Sequence, residues 1–291
     1  MAAQREAKTF RTFRSGRATP VALAAAALSL AAAALALASA FYAPTLAADW
    51  VSGPKSQARL VDGGIHDGAR YAGAQIRLSG AAVTYWRDPG EAGVPPTFDF
   101  AGSDNVAEAD VVYPQPERID EDGNQVFGYR GEVLFPIRIA PVDPKKPMTL
   151  ALKLDYAACE KICIPAHAQL SLSLPPQPRE AESQLLDDSL RQIPKILEGE
   201  AAASFAVAAP APPASGKPQW QVKINADARD LFVEPPTGFY FDVRPDKEKN
   251  AFLLTLAQHP GKKKRPDLPL RITVSGPAPA EFDLALPAAS N

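Results

Sequence analysis

Two cysteines, four positions apart, are the only thiols in the chain: Cys159-Glu160-Lys161-Ile162-Cys163. Thiols this close can be joined in a disulfide if their Cα atoms come within about 7 Å. Three intervening residues in a straight strand would hold them too far apart, whereas a tight hairpin connection would bring them into range. As a staple such a bond does little. Closing so short a loop contributes about 2 kcal/mol on chain-entropy grounds, against nearly 5 kcal/mol for a bridge closing about a hundred residues. A short-loop disulfide exposed on a turn is easier for a partner thiolate to reach and reduce, and Lys161 between the cysteines would favour a thiolate electrostatically. Three chemistries fit the pair: reversible thiol–disulfide exchange, a static structural disulfide, and soft-metal binding. The metal reading takes Cys159, Cys163 and His167, spaced as if on one helical face, because thiolates with an imidazole suit Cu(I) or Zn. Pro165 argues against a continuous helix there. His66 and His259 have no companions of catalytic type, and no Gly-rich phosphate loop, Ser-His-Asp set or His-Glu-x-x-His motif occurs. No cofactor is expected.

The start of the chain bears on the choice. Arg5, Lys8, Arg11, Arg14 and Arg17 make a basic opening, Val21 to Ala40 is almost purely apolar, and small residues follow, with Ala38-Ser39-Ala40 and Thr45-Leu46-Ala47 as cleavage candidates. That order predicts a secretory signal peptide over residues 1–47 and a mature chain beginning between about residue 41 and residue 49. The alternative is an uncleaved anchor over residues 21–40, nearly long enough to span a bilayer. The basic stretch has no Arg-Arg pair, which favours the general secretion route over the twin-arginine one. An exported chain meets an oxidising compartment, where nearby thiols pair. The full chain has 31 Lys+Arg and 33 Asp+Glu; residues 1–47 hold five basic and one acidic side chain, which leaves 26 against 32. A mature charge of −6 argues against a nucleic-acid binder, which needs a basic face. No second apolar stretch is long enough to span a membrane, so the mature protein is expected to be soluble.

The elements that must hold the cysteines read as strands. Thirty Pro, about twice average usage, are spread along the chain, which short strands tolerate and long helices do not. Ala74–Leu78, Val83–Trp86, Val133–Ile139, Leu150–Tyr156 and Gln169–Leu174 alternate or are β-branched and apolar. Turn compositions separate them, among them Asp88-Pro89-Gly90, Asp122-Gly123-Asn124 and Asp143-Pro144-Lys145-Lys146-Pro147. The fold class is all-β, a β-sandwich over residues 48–178. Residues 179–218 read as one amphipathic helix from Arg179 to Leu197, kinked or shortened by Pro194, and then a linker from Ala208 to Pro218. Residues 219–291 read as a second β domain. Its order of parts echoes the first: Phe252–Ala257 against Val133–Ala140, Leu270–Val274 against Leu150–Tyr156, and Phe282–Leu286 against Gln169–Leu174. This suggests a degenerate repeat in which Ser275-Gly276-Pro277 stands where the first block has its cysteines. The basic run Lys262-Lys263-Lys264-Arg265 and the acidic run Asp120-Glu121-Asp122 read as solvated turns.

The segment from Leu152 through Cys159 to Cys163-Ile164-Pro165-Ala166 resembles the N-terminal periplasmic domain of the thiol:disulfide interchange protein DsbD family, most closely its variant in the copper-sensitivity suppressor ScsB. The resemblance spans about Trp50 to Pro175, with Thr84-Tyr85-Trp86-Arg87, Tyr113-Pro114-Gln115 and Tyr129-Arg130 as weaker supports. It implies an immunoglobulin-like fold. It also implies a cysteine pair that takes electrons from a membrane-embedded donor and passes them to thioredoxin-like periplasmic proteins, and it adds copper tolerance as an alternative role. It further implies an aromatic cap loop over the cysteines, placed here at about Asp120 to Tyr129 with Phe127 and Tyr129 as shields. The chain lacks the family's multi-span membrane domain, its thioredoxin-like domain and any Cys-x-x-Cys, and its cysteine spacing is shorter than in the DsbD branch. A stand-alone version of the periplasmic module is the expectation.

Overall fold

Short strands broken by Gly, Pro, Asp and Asn turns are what the sequence dictates, and the chain follows that rule almost throughout. The computed structural model describes residues 48–289 apart from Asp122, residues 178–182, 262–265 and 267–268. The leader, the basic turn at 262–265 and the first residues of the expected helix lie outside the described residues.

The first sandwich is built from β1 (Val51–Gly53), β2 (Ser56–His66), β3 (Ala69–Leu78), β4 (Val83–Gly90), β5 (Thr97–Asp99), β6 (Val106–Val111), β7 (Glu117–Glu121), β8 (Asn124–Arg130), β9 (Glu132–Pro141), β10 (Met148–Cys159) and β11 (Cys163–Leu174). One sheet runs β1-β2-β3-β9-β6; the other runs β11-β10-β4-β8-β7, with β5 also paired to β10. The alternation in β10 and β11 sets which face meets the core. Met148, Leu150, Leu152, Leu154 and Tyr156 are buried between the sheets, as are Ala166, Ala168, Leu170, Leu172 and Leu174. They pack against Leu60, Ile76, Phe135 and Ile137 of the other sheet, each fully buried side chain of this size contributing about 1.5–3 kcal/mol.

The expected helix is shorter than its pattern. The helix α1 spans Ser183–Leu190, and the chain then turns through Gln192 N–H to Ser189 O and Ile193 N–H to Leu190 O before Pro194. Proline lacks the N–H that a further turn needs. Leu186, fully buried, seats the helix on Val61 and Leu134 of the first sandwich.

The second sandwich comprises β12 (Lys195–Ile196), the short helix α2 (Gly199–Phe205), β13 (Ala206–Ala214), β14 (Lys217–Ile224), β15 (Asp230–Glu234), β16 (Tyr240–Pro245), β17 (Ala251–Gln258), β18 (Leu270–Ser275) and β19 (Ala280–Leu284). The stretch expected as a linker is therefore mostly strand: β13 pairs with β14 from Ala206↔Ile224 to Ala214↔Lys217. Its prolines are accommodated because β13 is an edge strand, where a missing N–H costs no ladder bond. Ser215 and Gly216, both at positive φ (53° and 77°), make the two-residue turn that returns the chain into β14.

The two sandwiches share one strand plan. The order β2-β3-β9-β6 in the first matches β13-β14-β17-β16 in the second, and β11-β10-β4 matches β19-β18-β15. The first adds β1, β5 and the β7–β8 hairpin. Where β10 and β11 meet at the cysteines, β18 and β19 meet at a turn beginning at Ser275.

Specific contacts join the sandwiches. Phe232, fully buried, lies with its ring centroid 5.0 Å from Phe127 and 5.9 Å from Trp86. Arg118 donates to both carboxylate oxygens of Asp230 at 2.8 and 2.9 Å and to Leu231 O at 2.9 Å. Arg87 bridges Glu234 and Glu281. Gln115 Nε2 donates to Gly276 O, and Gly276 N–H donates back to Gln115 Oε1 at 2.7 Å.

Candidate functional site at the cystine hairpin

The β10–β11 hairpin is in register along its whole length, from Met148↔Leu174 to Cys159↔Cys163. That register places the cysteines directly opposite one another across a three-residue tip, with Cα atoms 4.0 Å apart, and they are joined as a disulfide. The two sulfurs have different surroundings. Cys159 ends a central strand, also pairs with Val83 of β4, and is 2% exposed. Cys163 begins β11, the edge strand of the sheet, and is exposed. The tip carries Glu160, held by an ion pair to Lys55 that keeps its carboxyl below the usual range, then Lys161 and Ile162. Ile162, next to Cys163, is 72% exposed.

Parity along the strands decides what surrounds the disulfide. Tyr156 and Ala158 face the sandwich core, so Ala157 and Cys159 face the outer side of the sheet. There Val83, Tyr85, Ile119 and Val126 form a small separate cluster with them. Tyr85 is the aromatic over the site. Its hydroxyl lies 3.2 Å from Cys163 Sγ and donates to Glu121 Oε2 at 2.9 Å. Burial, reinforced by the hydrogen bond and charge of Glu121, pushes the Tyr85 phenol well above its ordinary value. The loop after β4 closes the other side. Gly93, at φ 107°, lies so close to the Tyr85 ring that a Cβ there would sit 2.5–2.8 Å from its atoms. The result is a shallow depression of about 190 Å³ lined by Tyr85, Gly93, Glu121, Asn124 and the Cys159–Cys163 turn.

Phe127 and Tyr129 do not shield the cysteines. Both have the opposite parity on β8 and face the core: Phe127 packs on Phe232, and Tyr129 meets Phe135 edge to face and donates its hydroxyl to Pro114 O at 2.8 Å. The signal for Tyr85 was present in the sequence, since in Val83–Trp86 it takes the outward position between inward Thr84 and Trp86. The metal set Cys159, Cys163 and His167 is likewise not brought together. Residues 163 and 167 lie on a strand rather than a helix, so they stand about 13 Å apart along it, and His167 pairs with Asp155 across the hairpin. Among the described residues no group of three or more His, Cys, Asp or Glu side chains is placed to hold a metal ion.

An all-β, immunoglobulin-like sandwich with a buried–exposed cystine at a hairpin tip defines a class of thiol–disulfide modules. Residues 54–175 match the family model described as thiol:disulfide interchange protein DsbD, N-terminal. That match spans the first sandwich. Over a wider span, the fold matches a crystal structure of the N-terminal periplasmic domain of ScsB from Proteus mirabilis, with a TM-score of 0.62 and 19% identity, covering 83% of this chain and 98% of that one. No curated protein sequence matches the chain significantly. Among the described residues no helix is long and apolar enough to cross a membrane.

Proposed function

We propose that the protein exchanges thiols and disulfides with protein partners through Cys159 and Cys163, and that partners are joined at Cys163. The observation that carries this reading is the asymmetry of the pair. An attacking thiolate needs access to a sulfur, and Cys163 lies exposed on an edge strand while Cys159 is 2% exposed behind it. In the direction that reduces a partner, the Cys163 thiolate attacks one sulfur of the partner's disulfide, and the partner's other sulfur leaves as a thiolate. Cys159 then attacks Cys163 Sγ and releases the partner as a dithiol. Two electrons pass to the partner, and the Cys159–Cys163 disulfide forms. The reverse sequence reloads the module.

The partners in this reading are thioredoxin-like periplasmic proteins on one side and a membrane-embedded electron donor on the other. The exposed Ile162 and Lys161 beside Cys163 offer a mixed apolar and basic contact surface for them. The location is the periplasm, reached through a cleaved leader within residues 1–47; the basic, apolar and small-residue order there supports it. The test is a redox titration of the purified protein followed by mixing of its reduced form with an oxidised thioredoxin-like protein. A potential above about −300 mV and transfer of the disulfide are expected. A potential well below that value, with no transfer, would make the bond a static one.

A further inference from the structure

The second sandwich has no thiol, yet it holds the loop that lines the depression beside the cystine. Tyr240, on β16, donates its hydroxyl to Glu91 Oε1 at 2.8 Å. The other oxygen of Glu91 accepts the N–H of Gln125 at 2.7 Å, and Glu91 N–H donates to Gln125 O at 3.0 Å. Glu91 thus pins the loop after β4 to the β7–β8 hairpin on one side and to the second sandwich on the other. Two residues further along, Gly93 rests on the Tyr85 ring, and the Tyr85 hydroxyl touches both Cys163 Sγ and Glu121. The neighbouring Gly90, at φ 80°, lets the chain lie close against β8, since a Cβ there would sit 2.7 Å from Gln125 O.

We infer that Tyr240 and Glu91 are positioning residues for the redox site: through them the thiol-free sandwich holds the 90–94 loop on Tyr85 and so limits access to Cys163. The inference rests on the exchange function proposed above and adds its regulation. A partner or ligand that displaced Tyr240 would release the loop and free Tyr85 to move off the Cys163 sulfur, without any change in the cysteines. The contact is a single hydrogen bond at the rim of a well-packed interface, so its loss should open the loop locally and leave the sandwiches docked.

The test is the rate at which dithiothreitol reduces the disulfide in the full chain, with thermal stability measured in parallel. Tyr240→Phe should accelerate reduction by about two- to tenfold, the effect of removing one net hydrogen bond, with the melting transition nearly unchanged. Glu91→Ala should accelerate it at least as much, and Tyr240→Phe added to Glu91→Ala should have no further effect, because both act through one contact. Gln115→Ala removes a different contact between the sandwiches, the one to Gly276, and should leave the rate at the wild-type value. An unchanged rate in Tyr240→Phe, additive effects, or equal acceleration by Gln115→Ala would overturn the inference. Reduction of an oxidised thioredoxin-like protein by the reduced wild type, measured alongside, separates the two failures. Normal transfer with an unchanged Tyr240→Phe rate removes this inference alone, whereas no transfer removes the exchange reading and this one with it.

Discussion

At the scale of single residues, the site is an exposed sulfur, a buried sulfur and one phenol. The Tyr85 phenol is raised by burial and then by Glu121, so it stays protonated across the range in which ordinary thiols titrate. With that proton directed to Glu121, its oxygen is free to accept a hydrogen bond from the Cys163 thiol in the reduced protein. The pH dependence of exchange should therefore report the thiols and not the phenol. The ring also sets how closely the loop can approach. Gly93→Ala would place a methyl inside contact distance of that ring at a φ of 107°, a conformation that strains any L side chain. The variant should lose about 1–3 kcal/mol of stability, the usual range for overpacking, and its Cys163 should react faster with iodoacetamide after reduction. Denaturant melts and alkylation kinetics check both. Wild-type alkylation in a destabilised protein would mean that the Tyr85 ring does not guard the sulfur.

At the scale of elements, the β10–β11 hairpin carries the cystine, and its register does not rest on the disulfide. Its register is fixed by a full length of cross-strand pairs and by alternate side chains buried in the core. Replacing both cysteines by Ser should cost at most about 2 kcal/mol and leave a cooperative β fold by circular dichroism; an unfolded double variant would point to a structural staple. These strands were legible because their alternation is strong and their turns are marked by Asp, Pro and Gly. The close approach of Cys159 and Cys163 was legible for the same reason, since only a hairpin permits it. Three features were not. β13 hid behind Pro210, Pro212 and Pro213, which mimic a linker when the strand lies at an edge. The helix was overread because its apolar spacing continues past the point where Pro194 stops it. Phe127 and Tyr129 as shields follow from the family's cap loop laid on Asp120 to Tyr129, which carries no parity, and one residue of register separates the core face of β8 from the face that meets Cys159.

At the scale of the whole molecule, two sandwiches of the same strand order divide the work. One presents the cystine. The other contributes Phe232, which belongs to the core of the first, together with Asp230, Glu234 and Glu281 for its arginines. We propose that the shared plan reflects an internal repeat whose second copy lost its thiols. The turn that takes the place of the cystine hairpin now supplies Gly276, which docks on Gln115 of the first sandwich. An interface of this kind should make the halves unfold together. Phe232→Ala removes a fully buried ring that the second sandwich places in the core of the first and should cost about 3–5 kcal/mol. In calorimetry the wild type should give a single transition, and the variant should give a lower or split one; a variant that melts like the wild type would mean that the halves are energetically independent.

The central claim is that Cys163 is the sulfur at which partners are joined, and single-cysteine capture tests it most directly. Cys159→Ser leaves Cys163 without its resolving thiol. Mixed with an oxidised thioredoxin-like protein, it should accumulate a mixed disulfide that peptide mass mapping places on Cys163. Cys163→Ser, with only the buried Cys159 left, should capture little under the same conditions. Equal capture by both variants, or capture through Cys159 alone, would contradict the account.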